Sequence, residues 1–262
     1  MSRKTDQGGQ TLVFGEDAAG YRAFRPQYPQ ALFEWLAAAA PAPALAWDCG
    51  TGSGQAALGL AAHFDRVVAT DPDPRQLAAA PKRANIDYRV AAAEADPGFS
   101  GEVDLVACAC SVHWFDLPRF YARAREALKP GGVIAVWTYD WPRTGSAPVD
   151  AVLERLKTDI LGPFWGENAR YYFSGYRELP FPFEEQNAPV FRSRIAESRE
   201  ELLRFLSTWS AVTKYRERHG RDPLEIIAED LAMAWAKTEP ERPVVVPLHM
   251  RCGKAPRDFR CV

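Results

Sequence analysis

Leu45-Ala46-Trp47-Asp48-Cys49-Gly50-Thr51-Gly52-Ser53-Gly54 is the stretch on which the fold of this chain turns. Apolar Leu45, Ala46 and Trp47 lead into it, as at the end of a buried strand. The small-residue run Gln55-Ala56-Ala57-Leu58-Gly59-Leu60-Ala61 leaves it as a helix would. A strand that turns through glycines into a helix lets backbone approach a ligand closely and aims helix N–H groups at it. Downstream, Arg66-Val67-Val68-Ala69-Thr70-Asp71 reads as a second apolar strand closed by an acid. An acid about 20 residues past the first glycine is placed to hydrogen-bond the two hydroxyls of a ribose. Strand, glycine turn, helix and acid together point to an adenosine-containing ligand.

The spacing also discriminates among such ligands. The dinucleotide fingerprint is G-x-G-x-x-G, whereas here the third glycine comes one residue early and Gln55 stands in its place. Asp48 lies two residues before the first glycine, where a carboxylate opposes a pyrophosphate and suits an ammonium. No G-x-x-x-x-G-K-[ST] run occurs, which excludes a P-loop. S-adenosylmethionine satisfies these constraints: a ribose for Asp71, an α-amino group and sulfonium for the Asp48 region, and no phosphate.

On these residues the chain resembles the class I S-adenosylmethionine-dependent methyltransferases. Asp48 to Gly54 matches that family's first motif, and Asp71 its second-strand acid. Tyr88 to Glu94 is similar to the third strand and the turn that brackets adenine. Val103 to Cys110 is similar to the fourth strand, and Leu128 to Val136 to the helix end, Pro-Gly turn and fifth strand. Three further segments are similar to the trans-aconitate methyltransferase-like branch: Tyr21 to Pro29, Ser111 to Asp116, and Phe205 to Val212. One departure is Cys110, where that branch more often carries a polar amide.

The resemblance implies a Rossmann-like α/β fold, with seven mostly parallel strands, the last antiparallel, and helical lid insertions. Residues 1–20 are expected to be a flexible tail and 21–262 the methyltransferase domain, with lid elements from 21–40, 145–187 and 196–238. For the cofactor it implies Asp48 near the methionine ammonium, backbone contacts at Gly50, Thr51 and Gly52, and Asp71 on the ribose. Pro72, Ala93 and Glu94 flank the adenine, Cys110 lies beside the cofactor, and Tyr21 and Arg25 reach the methionine carboxylate. His113 and Trp114 follow the fourth strand and are the candidate catalytic residues, His113 to orient the acceptor or take its proton.

The 262 residues carry a net charge of −2 and 47% hydrophobic residues, as in an ordinary globular enzyme. That balance gives no support for nucleic-acid or anionic-membrane binding. The N-terminus has no apolar core behind its basic residues, and the apolar stretch from Ala31 to Trp47 is broken by Glu34, Pro41 and Pro43. Five cysteines without a C-x-x-C pair, and four scattered histidines, suggest a reducing cytoplasm and no metal centre. Strands alternate with helices from 44 to 138, which predicts βαβ units. Residues 160–187 read as a long ordered loop, 189–195 as a strand, 198–218 and 222–237 as helices, and 244–250 as a final strand in which Pro247 marks an edge or a bulge.

A small-molecule acceptor is therefore expected, a carboxylate oxygen on the strength of the branch resemblance. Trp114, Trp137, Tyr139, Trp165, Tyr172 and Trp209 are candidate pocket walls, and Arg170, Lys214 and Arg216 candidate anion ligands. Competing readings are C- or N-methylation of a ring or quinone-type metabolite, a silent S-adenosylmethionine-binding module, and a nicotinamide dehydrogenase, which Asp48 and Gln55 oppose. The sequence leaves oligomeric state open.

Overall fold

The computed structural model describes residues 27–96, 98–236 and 243–256. The order of elements is α1 (Gln30–Ala39), β1 (Leu45–Cys49), α2 (Gln55–Leu60), β2 (Arg66–Asp71), α3 (Pro74–Ala78), β3 (Ile86–Val90), β4 (Val103–Ala109), a 3₁₀ turn (Val112–Trp114), α4 (Leu117–Ala127) and β5 (Leu128–Tyr139). There follow α5 (Ala147–Arg155), a π turn (Leu156–Ile160), α6 (Ala169–Phe173), β6 (Glu184–Gln186), β7 (Phe191–Ala196), α7 (Arg199–Ser207), α8 (Ser210–His219), α9 (Pro223–Trp235) and β8 (Val244–Lys254).

Strands run in the order β3-β2-β1-β4-β5-β8, with β6 and β7 both paired to the far side of β8. β1 to β5 are parallel, and β8 is antiparallel to β5. β7 pairs with the start of β8 and β6 with its end, so these two short strands share one place in the sheet. Eight strands thus fill the seven places expected. The reversal of strand order at β1/β4 opens the crevice where ligands bind in such sheets.

Alternation along the strands divides the core in two. Ala46, Val67, Leu105, Val133, Ala135 and Trp137 face α1, α2, α5 and α7 to α9. Trp47, Cys49, Val68, Val106, Cys108, Ile134 and Val136 face α4. Both sheet faces are covered, which is why the parallel strands read as continuous apolar runs. The helices of 196–238, expected as lid elements, bury Leu202, Phe205, Leu206, Ile227 and Leu231 in the same core as the sheet.

α1 and α2 meet closely because Gly59 leaves room for Phe33: a Cβ there would stand 2.1 Å from the Phe33 ring. Gly59→Ala is therefore expected to destabilise the fold by about 1–3 kcal/mol despite alanine's better helix propensity. A denaturant melt showing a gain in stability would refute the tight packing.

Three expectations need correction. The supposed loop of 160–187 contains α6 and β6, and the helix of 198–218 is two helices, broken at Thr208-Trp209. β8 is interior rather than an edge. Pro247 is tolerated because β5 ends at Tyr139, opposite Leu248. The Pro247 carbonyl faces Asp140 N at 3.0 Å, so its missing N–H falls just beyond the β5 ladder. A fourth feature went unforeseen: Asp104, fully buried at the start of β4, accepts from Leu45 N at 3.0 Å and pairs with Lys129 Nζ at 2.9 Å. Tyr21 and Arg25 lie outside the described residues.

Candidate active site

The glycine loop after β1 is held by β2. Gly50 and Thr51 donate N–H bonds to the Thr70 carbonyl at 2.8 and 2.9 Å. Gly50 and Gly54 have φ of +70° and +80°, and side chains at either would collide, with Ser111 and Phe115 at Gly50 and with the Tyr88 hydroxyl at Gly54. Gly52 (φ +54°) differs: a Cβ there would meet nothing nearer than Gln76 Oε1 at 3.9 Å, so the loop is open on that side. The turn presents backbone to a cleft.

That cleft is lined by the glycine loop, by Asp71, Pro72 and Asp73 after β2, by Ala92, Ala93 and Glu94 after β3, and by Cys110, Ser111, Trp114 and Phe115 after β4. Tyr28 and Tyr139 complete it. Asp71 accepts from Gly52 N through Oδ2 and from Asp73 N through Oδ1, each at 2.9 Å. Burial raises its carboxyl above the usual range, opposed by those two amides. The carboxylate therefore braces the glycine loop and keeps lone pairs for a ligand. Glu94 Oε1 accepts from Asp116 N at 2.8 Å, tying the β3 turn to the N-terminus of α4.

Of the residues expected from sequence, Gly50, Thr51, Gly52, Asp71, Pro72, Ala93, Glu94, Cys110 and Trp114 line this cleft. Asp48 does not. It is fully buried beneath the loop, where its Oδ2 accepts from Thr51 Oγ1 at 2.5 Å and Oδ1 has no partner among the described residues. Burial pushes its carboxyl up to about 7. Its contact with the cleft is through Thr51. His113 also departs from expectation: it faces a neighbouring cavity, with Nδ1 2.8 Å from the Tyr176 hydroxyl.

Trp137 is core, Trp209 packs against Trp141 with rings 4.6 Å apart, and Trp165 and Tyr172 are likewise outside the cleft lining. Arg170 bonds Tyr171, Arg216 pairs with Asp222, and Lys214 stands near Gly166; none lines the cleft.

Sequence reasoning missed Tyr28, which reads as part of the apolar face of α1. It precedes that helix, stacks on Tyr139 (rings 5.5 Å apart, 9° between planes) and reaches Cys110 Sγ at 3.8 Å. Cys110 itself adopts φ +53°, a left-handed conformation uncommon for a non-glycine residue and often found at binding sites.

This donor set fits S-adenosylmethionine. Asp71 offers carboxylate lone pairs to the cleft, the chemistry that a diol needs, and the buried oxygen of Asp48 without a partner among the described residues favours a cation above it. The Ser53 hydroxyl, also buried without a partner among the described residues, lines the loop.

A methyltransferase-domain family model matches residues 47–136, the span from β1 to β5 that carries these features. An uncharacterized methyltransferase of Schizosaccharomyces pombe is 30% identical over 77% of this chain and 80% of its own. A solved structure from Anaeromyxobacter dehalogenans, described as a type II methyltransferase, is 45% identical, covers 89% of this chain and 99% of its own, and superposes with a TM-score of 0.80. The chain belongs to the class I S-adenosylmethionine-dependent methyltransferases. A Dictyostelium discoideum protein named as a methyltransferase is 29% identical over 92% of this chain and 94% of its own. The methyltransferase thus shares more than the cofactor-binding half with its relatives. No helix among its described residues is long and apolar enough to cross a membrane.

Proposed function

We propose that this methyltransferase acts on a small molecule built on a flat ring. One observation carries this reading: the cleft walls beyond the glycine loop and its acids are aromatic, with Tyr28, Trp114, Phe115 and Tyr139 around Cys110. Ring faces of this kind hold a planar acceptor and exclude water from an in-line displacement, which mainly needs alignment. S-adenosylmethionine is held by backbone at Gly50, Thr51 and Gly52, by Asp71 on the ribose, and by Ala93 and Glu94 about the adenine.

A second reading, O-methylation of a carboxylate, draws support from Ser111 to Asp116. That stretch is similar to the trans-aconitate methyltransferase-like branch and contributes Ser111, Trp114 and Phe115 to the lining. A carboxylate is already deprotonated at neutral pH and needs no base.

The two readings part in one experiment. Methyl-labelled S-adenosylmethionine is incubated with the enzyme and a small-molecule extract, and the products are treated with mild base. Base-stable label is expected. Release of volatile labelled methanol would mark a methyl ester and replace the ring reading with the carboxylate one. Tight cofactor binding without any transfer would favour a silent binding module.

A further inference from the structure

We propose that the acceptor atom is an unprotonated ring nitrogen of the pyridine kind, and that methyl transfer leaves a heteroaromatic cation against the aromatic wall of the cofactor cleft. This rests on the flat-ring reading above and names the chemistry of that acceptor. The order of strands sorts the cleft. Its β2–β3 side carries the carboxylates Asp71, Asp73 and Glu94. Its β4–β5 side carries the rings of Trp114, Phe115 and Tyr139, and the β1 glycine loop lies between the two. A cofactor with its ribose on Asp71 and its backbone contacts on the glycine loop turns its sulfonium toward the rings.

The rings are held where that charge arrives. A Cβ on Gly50 would come within 2.9 Å of Phe115 Cζ, so this ring lies against the glycine loop itself. Phe115 is braced edge-on by Phe120, with ring centres 4.9 Å apart. Tyr139 is backed by the stacked Tyr28, which in turn stands edge-on to Trp137 at 5.6 Å. Ring faces attract a cation through their quadrupole, and carboxylates across the cleft add a negative field.

These walls suit an acceptor that keeps the positive charge in place. The lone pair of a neutral ring nitrogen forms a bond to the sulfonium methyl carbon. The carbon–sulfur bond breaks with its pair on sulfur, giving an N-methyl heteroaromatic cation and a neutral thioether. One positive charge enters the step, one leaves it, and no proton moves. An anionic oxygen acceptor would face Asp71 and Glu94 and would cancel the charge that the rings attract. A neutral phenol must give up a proton. The nearby Tyr28 phenol is no base for it: burial, Cys110 and Tyr139 hold its pKa well above the ordinary tyrosine range, so it keeps its own proton. An aliphatic amine, ionising like lysine near about 10.4, has no lone pair to offer at neutral pH. A ring nitrogen ionising at or below the ~6.5 of imidazole does.

The test is calorimetric titration of the full chain saturated with S-adenosylhomocysteine. The probes are three fused two-ring compounds of one shape: the cation 2-methylisoquinolinium, the neutral phenol 2-naphthol and the anion 2-naphthoate. The cation is expected to bind tightest, about tenfold or more above 2-naphthoate. Trp114→Leu should weaken the cation about fivefold, and Trp114→Phe should restore most of the loss. The native chain's ranking of the probes decides the matter without any variant. Preferred binding of 2-naphthol or 2-naphthoate overturns the nitrogen assignment and leaves the flat-ring reading standing. Binding of none of the three, with S-adenosylhomocysteine bound, overturns both. Cation binding that Trp114→Leu leaves unchanged overturns the placement against the aromatic wall. In the labelled-extract experiment above, the base-stable product should also stay on a cation exchanger at strongly alkaline pH, once freed of cofactor, and absorb in the ultraviolet. A base-stable product that passes through as a neutral species overturns the nitrogen assignment alone.

Discussion

At pH 8 the Asp48→Asn variant is expected to melt at a higher temperature than the native chain and to bind S-adenosylmethionine about tenfold or more weakly. Asp48 is fully buried under the glycine loop, one oxygen bonded to Thr51 and the other without a partner among the described residues. Unfolded, its carboxyl ionises near 3.8, whereas burial holds the proton on the folded form to about 7. Between those values the unfolded state releases its proton first, so this group erodes stability as pH rises through the window. Three units correspond to about 4 kcal/mol by pH 7 and above. The neutral amide removes that cost, less the cost of placing a new buried N–H group.

The same charge should assist a cationic cofactor. Ligand binding then draws the proton off Asp48, and affinity should climb up to about tenfold per pH unit below 7 and level off above it. Thermal melts at pH 5 and 8, with calorimetric titrations in buffers of different ionisation enthalpy, check both halves. The variant's titration should be flat between pH 5.5 and 7, a range in which the ligand's own ammonium stays charged. A native slope that persists in Asp48→Asn would place the titrating group elsewhere.

Asp71→Ala should raise the dissociation constant for S-adenosylmethionine about 100- to 1,000-fold with only a small loss of stability. Hydrogen bonds to a charged acceptor contribute about 1.5–3 kcal/mol each, and the variant loses the ribose contacts together with the brace to Gly52 N and Asp73 N. The core of β2 is untouched, since Val67, Val68 and Ala69 remain fully buried. Asp71→Asn keeps the shape and one acceptor oxygen and should fall between. Calorimetric affinities for the three proteins, each with a melt, provide the check. Unchanged affinity in Asp71→Ala would refute the ribose role.

What was legible in the sequence is the half whose signals are local. β1, β2, β4 and β5 are buried on both faces and so read as apolar runs, and the glycines of the loop mark a turn that few other residues tolerate. The remainder depends on distant partners. Glu184-Glu185-Gln186 has no strand character of its own and becomes β6 only through pairing with β8. Pro247 looked like an edge marker because the place where β5 stops cannot be read from β8. Asp104 and Lys129 are 25 positions apart, and only the β4–β5 pairing brings them together. His113 belongs to a 3₁₀ turn, where the alternation that tells inward from outward on a strand is lost, so its direction toward Tyr176 was invisible. Tyr28 reads as core because stacking on Tyr139 requires β5.

The position of β8 has a consequence for how this protein is made. Every cleft residue from Tyr28 to Tyr139 has been synthesised well before Val244 emerges, yet β5 has no antiparallel neighbour until β8 slots between it and the β6/β7 pair. Until then the nascent chain presents an unpaired edge of apolar strand, the kind of surface on which neighbouring chains join. A premature stop before Val244 would leave a product with a complete cofactor fingerprint and an open sheet, destined for aggregates and proteolysis rather than for turnover.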